Sequence, residues 1–181
     1  MIKDFFGSLF VLHLTERLYT FVMNNKNIGI DIMGVILPKA VEGGTLEEFM
    51  SCSALPDVIA SIGKLVELYG NESVFIVSRC PEFAEKVIMR WFDGHDFFNK
   101  TNFNRSNIYF CREQAEKASI AKQLRLSYFI DDKISVLDFM KDIVQHRIQL
   151  AVESGIESSD NEDDIVRLKN WHPVLEYIAR Y

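Results

Sequence analysis

Cysteine and proline are both scarce in this 181-residue chain, with three and four residues respectively. Cys52, Cys80 and Cys111 cannot all pair and show no C-x-x-C spacing, so no disulfide framework is expected and a reducing, cytoplasmic setting is the simpler expectation. Nine glycines and four prolines exclude a low-complexity linker composition. No apolar run approaches the ~20 residues that span a bilayer, so no membrane association is expected. An excess of basic charge is also lacking: 20 Lys+Arg against 26 Asp+Glu leave a formal charge of -6, which disfavours bulk nucleic-acid binding. What is present is ordinary for a globular domain, at 48% hydrophobic, 12% aromatic and 25% charged residues. The length suits a single domain.

Residues 1–26 read as an N-terminal helical segment. Phe5 to Leu14 is apolar apart from Gly7, Ser8 and His13 and follows Lys3, which imitates a signal peptide. Asp4 at its start, Glu16 and Arg17 after it and the lack of a small-x-small cleavage site argue against that reading. A helix packing Leu9, Leu12, Tyr19 and Met23 on the core is preferred.

From residue 27 onward strand and helix patterns alternate. Asn27 to Ile32, Val74 to Val77, Ile108 to Cys111, Tyr128 to Ile130 and Ile148 to Val152 are short apolar runs expected to form buried parallel strands. Between them, Pro56 to Tyr69, Pro81 to Phe92, Glu113 to Leu124 and Ile134 to Met140 carry apolar residues at helical spacing, with Phe83, Val87, Ile88 and Trp91 expected on one face. Pro38 to Ser53 is a polar stretch with Gly43-Gly44 in its middle. Residues 153–164 read as a mobile acidic loop and 165–181 as a C-terminal helix with Val174, Leu175 and Ile178 inward. Repeated strand–helix–strand units imply an α/β three-layer sandwich over residues 27–181, with a mostly parallel, Rossmann-like sheet of about five strands.

In open parallel sheets ligands bind outside the carboxyl ends of the strands. The sequence places Asp31-Ile32-Met33-Gly34 after the first strand, Ser78-Arg79-Cys80 after the second and Asp131-Asp132-Lys133 after the fourth, with Lys117 near the start of the third helix. Carboxylates gathered at one rim repel each other unless a hard cation neutralises them, and Mg²⁺ with oxygen ligands is the common answer. A hydroxyl and an ammonium beside such a metal suit the oxygens of a phosphoryl group.

This constellation resembles the haloacid dehalogenase-like superfamily of phosphohydrolases. GIDIMGVIL corresponds to its first motif, VFIVS to its second, Lys117 within EKASIAKQL to its third and YFIDD to its fourth, in order across roughly residues 27–152. RWFDGHDFF, IYFCRE and FIDDKISVL resemble an uncharacterised bacterial branch of that superfamily. The resemblance implies Asp31 as a nucleophile forming an aspartyl-phosphate, and Asp31, the Met33 carbonyl, Asp131 and Asp132 as Mg²⁺ ligands. It further implies that Ser78, Arg79 and Lys117, with backbone amides near Met33 and Gly34, hold the phosphoryl group of a phosphorylated, bulky or macromolecular substrate.

One position departs from the pattern. The superfamily's general acid/base stands two residues after the nucleophile, where this chain has Met33, and loss of such a group typically removes ~10²–10⁴ in rate. The chain is then either a hydrolase with an unusual proton source or leaving group, or a non-catalytic phosphate- or protein-binding module on the same fold. His95 and Asp96 read as loop residues with a spare proton source as the alternative. Cys80 and Cys111 read as inert thiols, and Trp91, Phe92, Phe97 and Phe98 as core. The gap from Pro38 to Ala54 is too short for a folded cap domain, so an open site covered at most by a Gly43-Gly44 flap is expected, with a second subunit as one route to a lid.

Overall fold

The computed structural model describes residues 26–152 and 164–181. Apart from Lys26 and Asp164, the expected N-terminal helical segment (1–26) and acidic loop (153–164) lie outside the described residues. The described strands are β1 (Asn27–Ile30), β2 (Val74–Arg79), β3 (Ile108–Cys111), β4 (Leu126–Asp131), β5 (His146–Leu150) and β6 (Ile165–Leu168). They form one sheet in the order β3-β2-β1-β4-β5-β6, and every neighbouring pair is parallel. The helices are α1 (Leu46–Ser51), α2 (Val58–Tyr69), α3 (Glu82–Gly94), α4 (Phe97–Thr101), α5 (Glu116–Gln123), α6 (Ile134–Asp138) and α7 (Trp171–Arg180).

The period-2 geometry of a strand sends successive side chains to opposite faces, and the two cores follow that parity. Ile28, Ile30, Val74, Ile76, Tyr128, Ile130, Ile148 and Leu150 point to one face, where Ile62 and Leu65 of α2, Trp91 and Phe92 of α3, Phe97 of α4 and Trp171 and Val174 of α7 close over them. Phe75, Val77 and Phe129 point to the other, against Ala118 and Ala121 of α5 and Val136 and Leu137 of α6. Gly29 stands in the second set because Phe129 and Leu126 fill its side-chain space: a Cβ there would lie 2.5 Å from each. The result is three layers with β1 at the centre, and no described helix is long and apolar enough to cross a membrane.

Three expectations are corrected. The sheet has six strands, because Ile165–Leu168 is a strand registered on β5 (Arg147↔Ile165 through Leu150↔Leu168), so the C-terminal helix begins only at Trp171. Four residues are too few to show a period, and this strand exists through its pairing with β5. The polar stretch after Pro38 contains a short 3₁₀ turn (Lys39–Val41) and helix α1. That helix starts at a capping box in which Thr45 and Glu48 satisfy each other's backbone amides, a signal written in Thr-Leu-Glu-Glu. Phe83 is not buried with the rest of its helix face: it is 78% exposed and lines a groove beside α1. The insertion between β1 and α2 thus amounts to a turn and one short helix, and no large cap domain is present among the described residues.

Candidate active site

The strand order locates the site before any side chain is considered. From β1 the chain moves to β2 and β3, then returns to β4 on the other side of β1, and an open parallel sheet leaves a crevice at such a reversal. Asp31 follows β1, and its amide donates to the Ile130 carbonyl at 3.0 Å, which sets Asp131 alongside. Both acids keep the parity of Gly29 and Phe129, the face covered by α5, and α5 carries Lys117 in its first turn.

Lys117 is only 2% exposed, and its Nζ lies 2.7 Å from Asp131 Oδ2 and 2.9 Å from Asp31 Oδ1. The contact with Asp131 is a hydrogen bond. The contact with Asp31 is an ion pair without hydrogen-bond alignment, so Asp31 Oδ1 is buried with no donor aimed at it. Burial and then the charge of Asp31 push the Asp131 carboxyl up to about 7, against the opposing pull of Lys117 and the Lys133 amide. Burial works against the Lys117 charge, but the two carboxylates outweigh it and hold its pKa above the ordinary lysine value.

Asp132 turns to the other side of the crevice. Its Oδ2 accepts from Lys39 Nζ at 2.8 Å, its carbonyl accepts from Gln149 Nε2 at 3.1 Å, and its Oδ1 is buried without a partner. Gly34 makes room for it: with φ at +82°, a Cβ would stand 2.7 Å from Asp132 Cγ. The Gly34 amide itself donates to the Leu37 carbonyl at 2.7 Å, so in this conformation the loop engages it internally. The loop is clamped from behind by Trp171, whose indole donates to the Val35 carbonyl at 2.9 Å.

One carboxylate oxygen from each of Asp31, Asp131 and Asp132 lies within 4.8 Å of the others. Two of these carboxylates carry a buried oxygen with no hydrogen-bond partner. Buried acceptors left unpaired are costly, and an all-oxygen set with spare lone pairs is the donor chemistry of a hard divalent cation. The residues therefore fit Mg²⁺.

Asp31, Met33, Ser78, Arg79 and Lys117 line one small cavity, together with Glu42, Gln114 and Lys133. Ser78 is 1% exposed at the end of β2, and Arg79 beside it reaches toward Glu42, 3.9 Å away. A larger groove adjoins this cavity between α1 and the start of α3. It is lined by Leu46, Phe49, Pro81, Phe83, Val87 and Ile88 among others and shares Met33, Glu42 and Arg79 with the smaller space. Its volume, about 620 Å³, falls within the ~300–1,000 Å³ of small-molecule sites.

The other candidates lie apart from this rim or are inert. His95 follows the last turn of α3, about 20 Å from the helix start at 1.5 Å per residue, and stacks on Trp91 at 4.0 Å. Burial pushes the Cys80 thiol up to about 11, and it raises the Cys111 thiol as well, so neither is a ready thiolate. Trp91, Phe92 and Phe97 are fully buried core with Phe98 packed against them. Sequence reasoning missed Glu42, Gln114, Lys39 and Gln149. Lys133, expected at the rim directly after the acidic pair, does line the cavity, whereas Glu42 and Lys39 sit in an insertion with no spacing signal.

No family model matches the chain. It is 26% identical over 134 residues to a "putative nucleotidase" of Oceanobacillus iheyensis, covering 73% of this chain and 66% of that protein. It is also 26% identical over 132 residues to a "putative nucleotidase" of Bacillus cereus, covering 63% of this chain and 66% of that protein. The chain thus spans just under two thirds of the length of these relatives. A crystal structure of a haloacid dehalogenase-like family hydrolase from Xanthomonas campestris matches with a TM-score of 0.59 at 10% identity, over 86% of this chain and 95% of that one. With that structural likeness and Asp31, Ser78 and Asp131 at strand ends beside Lys117 of α5 on one crevice, the chain has the fold of the haloacid dehalogenase-like hydrolases.

Proposed function

We propose that this protein is a Mg²⁺-dependent phosphohydrolase that passes the phosphoryl group of its substrate to Asp31 and then to water. The observation that carries this reading is the state of Asp31: a buried carboxylate facing a cavity, held by the Lys117 ammonium, with Oδ1 free of hydrogen-bond donors. A carboxylate so placed, with Lys117 Nζ 2.9 Å from its Oδ1, is oriented for attack into that cavity.

In this reading Asp31 Oδ1 or Oδ2 attacks phosphorus. Ser78 donates its hydroxyl and Lys117 its ammonium to the phosphoryl oxygens, and Arg79 supplies a guanidinium from the edge of the same cavity. Asp31, Asp131 and Asp132, with the Met33 carbonyl, would hold Mg²⁺, which when bound offsets the carboxylate charge and polarises the phosphoryl group. The insertion between β1 and α2 supplies only a turn and one short helix, which supports substrate entry from the groove side. The relatives described as nucleotidases support a phosphate monoester, nucleotides among them, and the largely apolar lining of the groove supports a bulky leaving group with a flat or apolar face. Met33 favours a second reading, a phosphate-binding module without turnover, because its thioether cannot transfer a proton.

A screen of nucleoside monophosphates, aryl phosphates and acyl phosphates, with and without Mg²⁺, separates the two. Turnover that requires Mg²⁺ and disappears in Asp31→Asn is the expected result. Binding of phosphate without turnover of any substrate would leave the module reading standing and remove the hydrolase.

A further inference from the structure

Met33 stands where this fold ordinarily carries the acid that protonates the leaving group, and the chain must find that proton elsewhere if it is to release a poor leaving group. The two adjoining cavities say where to look. A phosphoryl group held by Asp31, Ser78 and Lys117 in the small cavity has its remaining substituent directed into the apolar groove, so the bond that breaks crosses the boundary between the two spaces. The residues lining both are Met33, Glu42 and Arg79. Met33 has no acidic proton, and an arginine stays charged at any working pH.

We propose that Glu42 is the catalytic proton donor and acceptor of this site, replacing the acid that Met33 lacks. This rests on the phosphohydrolase reading above. The backbone of Glu42 is held in place: it ends the 3₁₀ turn, and its amide donates to the Lys39 carbonyl at 3.0 Å. Gly43 follows with φ at +82° and open space around it, so glycine answers the backbone there and not crowding. The side chain is tethered without being locked. Glu42 Oε1 lies 3.9 Å from Arg79 Nη2, within ion-pair range and too long for a hydrogen bond, and the side chain is 43% exposed.

The nearby carboxylates have other work. Glu48 Oε2 takes both the amide and the hydroxyl of Thr45, Glu85 pairs with Arg112, and Asp31, Asp131 and Asp132 form the oxygen cluster.

The step balances as follows. An Asp31 carboxylate oxygen forms a bond to phosphorus while the bond from phosphorus to the leaving oxygen breaks. The electron pair stays on that oxygen, which takes the proton of the Glu42 carboxyl. Glu42, now a carboxylate, removes a proton from water as the water oxygen attacks phosphorus, releasing inorganic phosphate and restoring the Asp31 carboxylate and the Glu42 carboxyl.

The test is a rapid-quench comparison of the Mg²⁺-loaded wild type, Glu42→Gln, Glu42→Asp and Asp31→Asn, using 4-nitrophenyl phosphate, whose leaving group needs little protonation, and phenyl phosphate, whose leaving group needs more. Glu42→Gln is expected to keep the wild-type melting temperature. It should release one equivalent of 4-nitrophenolate in a burst at near wild-type rate and then turn over ~10²–10⁴-fold more slowly. On phenyl phosphate the burst itself should slow by a similar factor, and Glu42→Asp should recover part of both. Equal loss on the two substrates with no burst, or kinetics unchanged from wild type, would overturn the assignment of Glu42 while leaving the hydrolase intact. No turnover and no phosphoenzyme in the wild type would remove the phosphohydrolase reading and this proposal together. A burst surviving in Asp31→Asn would overturn the step as written.

Discussion

The two ends of the sheet handle burial in opposite ways. At the amino ends of the strands Tyr128 and His146 stack at 4.4 Å, His146 Nδ1 lies 3.0 Å from the Tyr177 hydroxyl, and Tyr181 packs against both His146 and Tyr177. Lys26 lies over the rings of Tyr69 and Tyr128 and donates to the Ile178 carbonyl at 3.0 Å. Burial there favours neutral groups: it raises the Tyr128 hydroxyl to about 12 and lowers His146. At the carboxyl ends burial is met by opposite charge, with Lys117 between Asp31 and Asp131, and unpaired carboxylate oxygens remain. One end is built as a core margin. The other keeps charge where charge is costly, the pattern on which the proposed function rests.

That contrast can be broken or sharpened by substitution, and the largest effect belongs to the charged end. Asp31→Asn is expected to lower turnover on the order of 10⁴-fold or more, as removal of a nucleophile does, with little change in far-UV circular dichroism. Lys117→Met comes next: it leaves two buried carboxylates without their cation and should cost about 3–5 kcal/mol in urea unfolding. Combining it with Asp31→Asn should recover part of that loss, because one of the two repelling charges is gone. Gly34→Ala is smaller. It forces a side chain into a left-handed position against Asp132, about 1–3 kcal/mol of strain, and should also weaken Mg²⁺ binding measured by calorimetry.

The smallest effect tests the aromatic end. A histidine whose folded pKa is depressed contributes stability that is present above its unfolded value, about 6.5, and is lost as pH falls through the folded value. Thermal melts of the wild type should therefore fall off on acidification below that point, and His146→Phe should flatten this limb while leaving the melt at pH 8 nearly unchanged.

How much of this was legible beforehand follows the same division. The rim was readable because each of its acids, and Ser78, ends an apolar run, and a strand that ends in a polar residue announces both the strand and the rim. Lys117 was readable as the first-turn residue of a helix returning to that rim. Trp171 as a clamp on the Val35 carbonyl was not, since 136 residues separate the two and no local pattern connects them. Strand β6 escaped because it is defined by pairing with β5 and not by period. The exposure of Phe83 escaped because helical spacing gives a helix's apolar side without saying whether each residue on it meets the core or lines a groove. Glu42 and Lys39 were invisible for a third reason: a loop insertion carries no periodicity, and only the folded chain shows which of its polar residues meet the strand ends.

The central claim is that the strand-end acids form a phosphoryl-transfer site whose nucleophile is Asp31. It is tested most directly by thermal unfolding with Mg²⁺ and beryllium fluoride, which together mimic a phosphorylated carboxylate. A ligand that binds only the native state raises the melting temperature. The wild type should show a rise with both components that exceeds the rise with Mg²⁺ alone, and Asp31→Asn should show no added rise. An added rise of the same size in Asp31→Asn, or none in the wild type, would contradict the account.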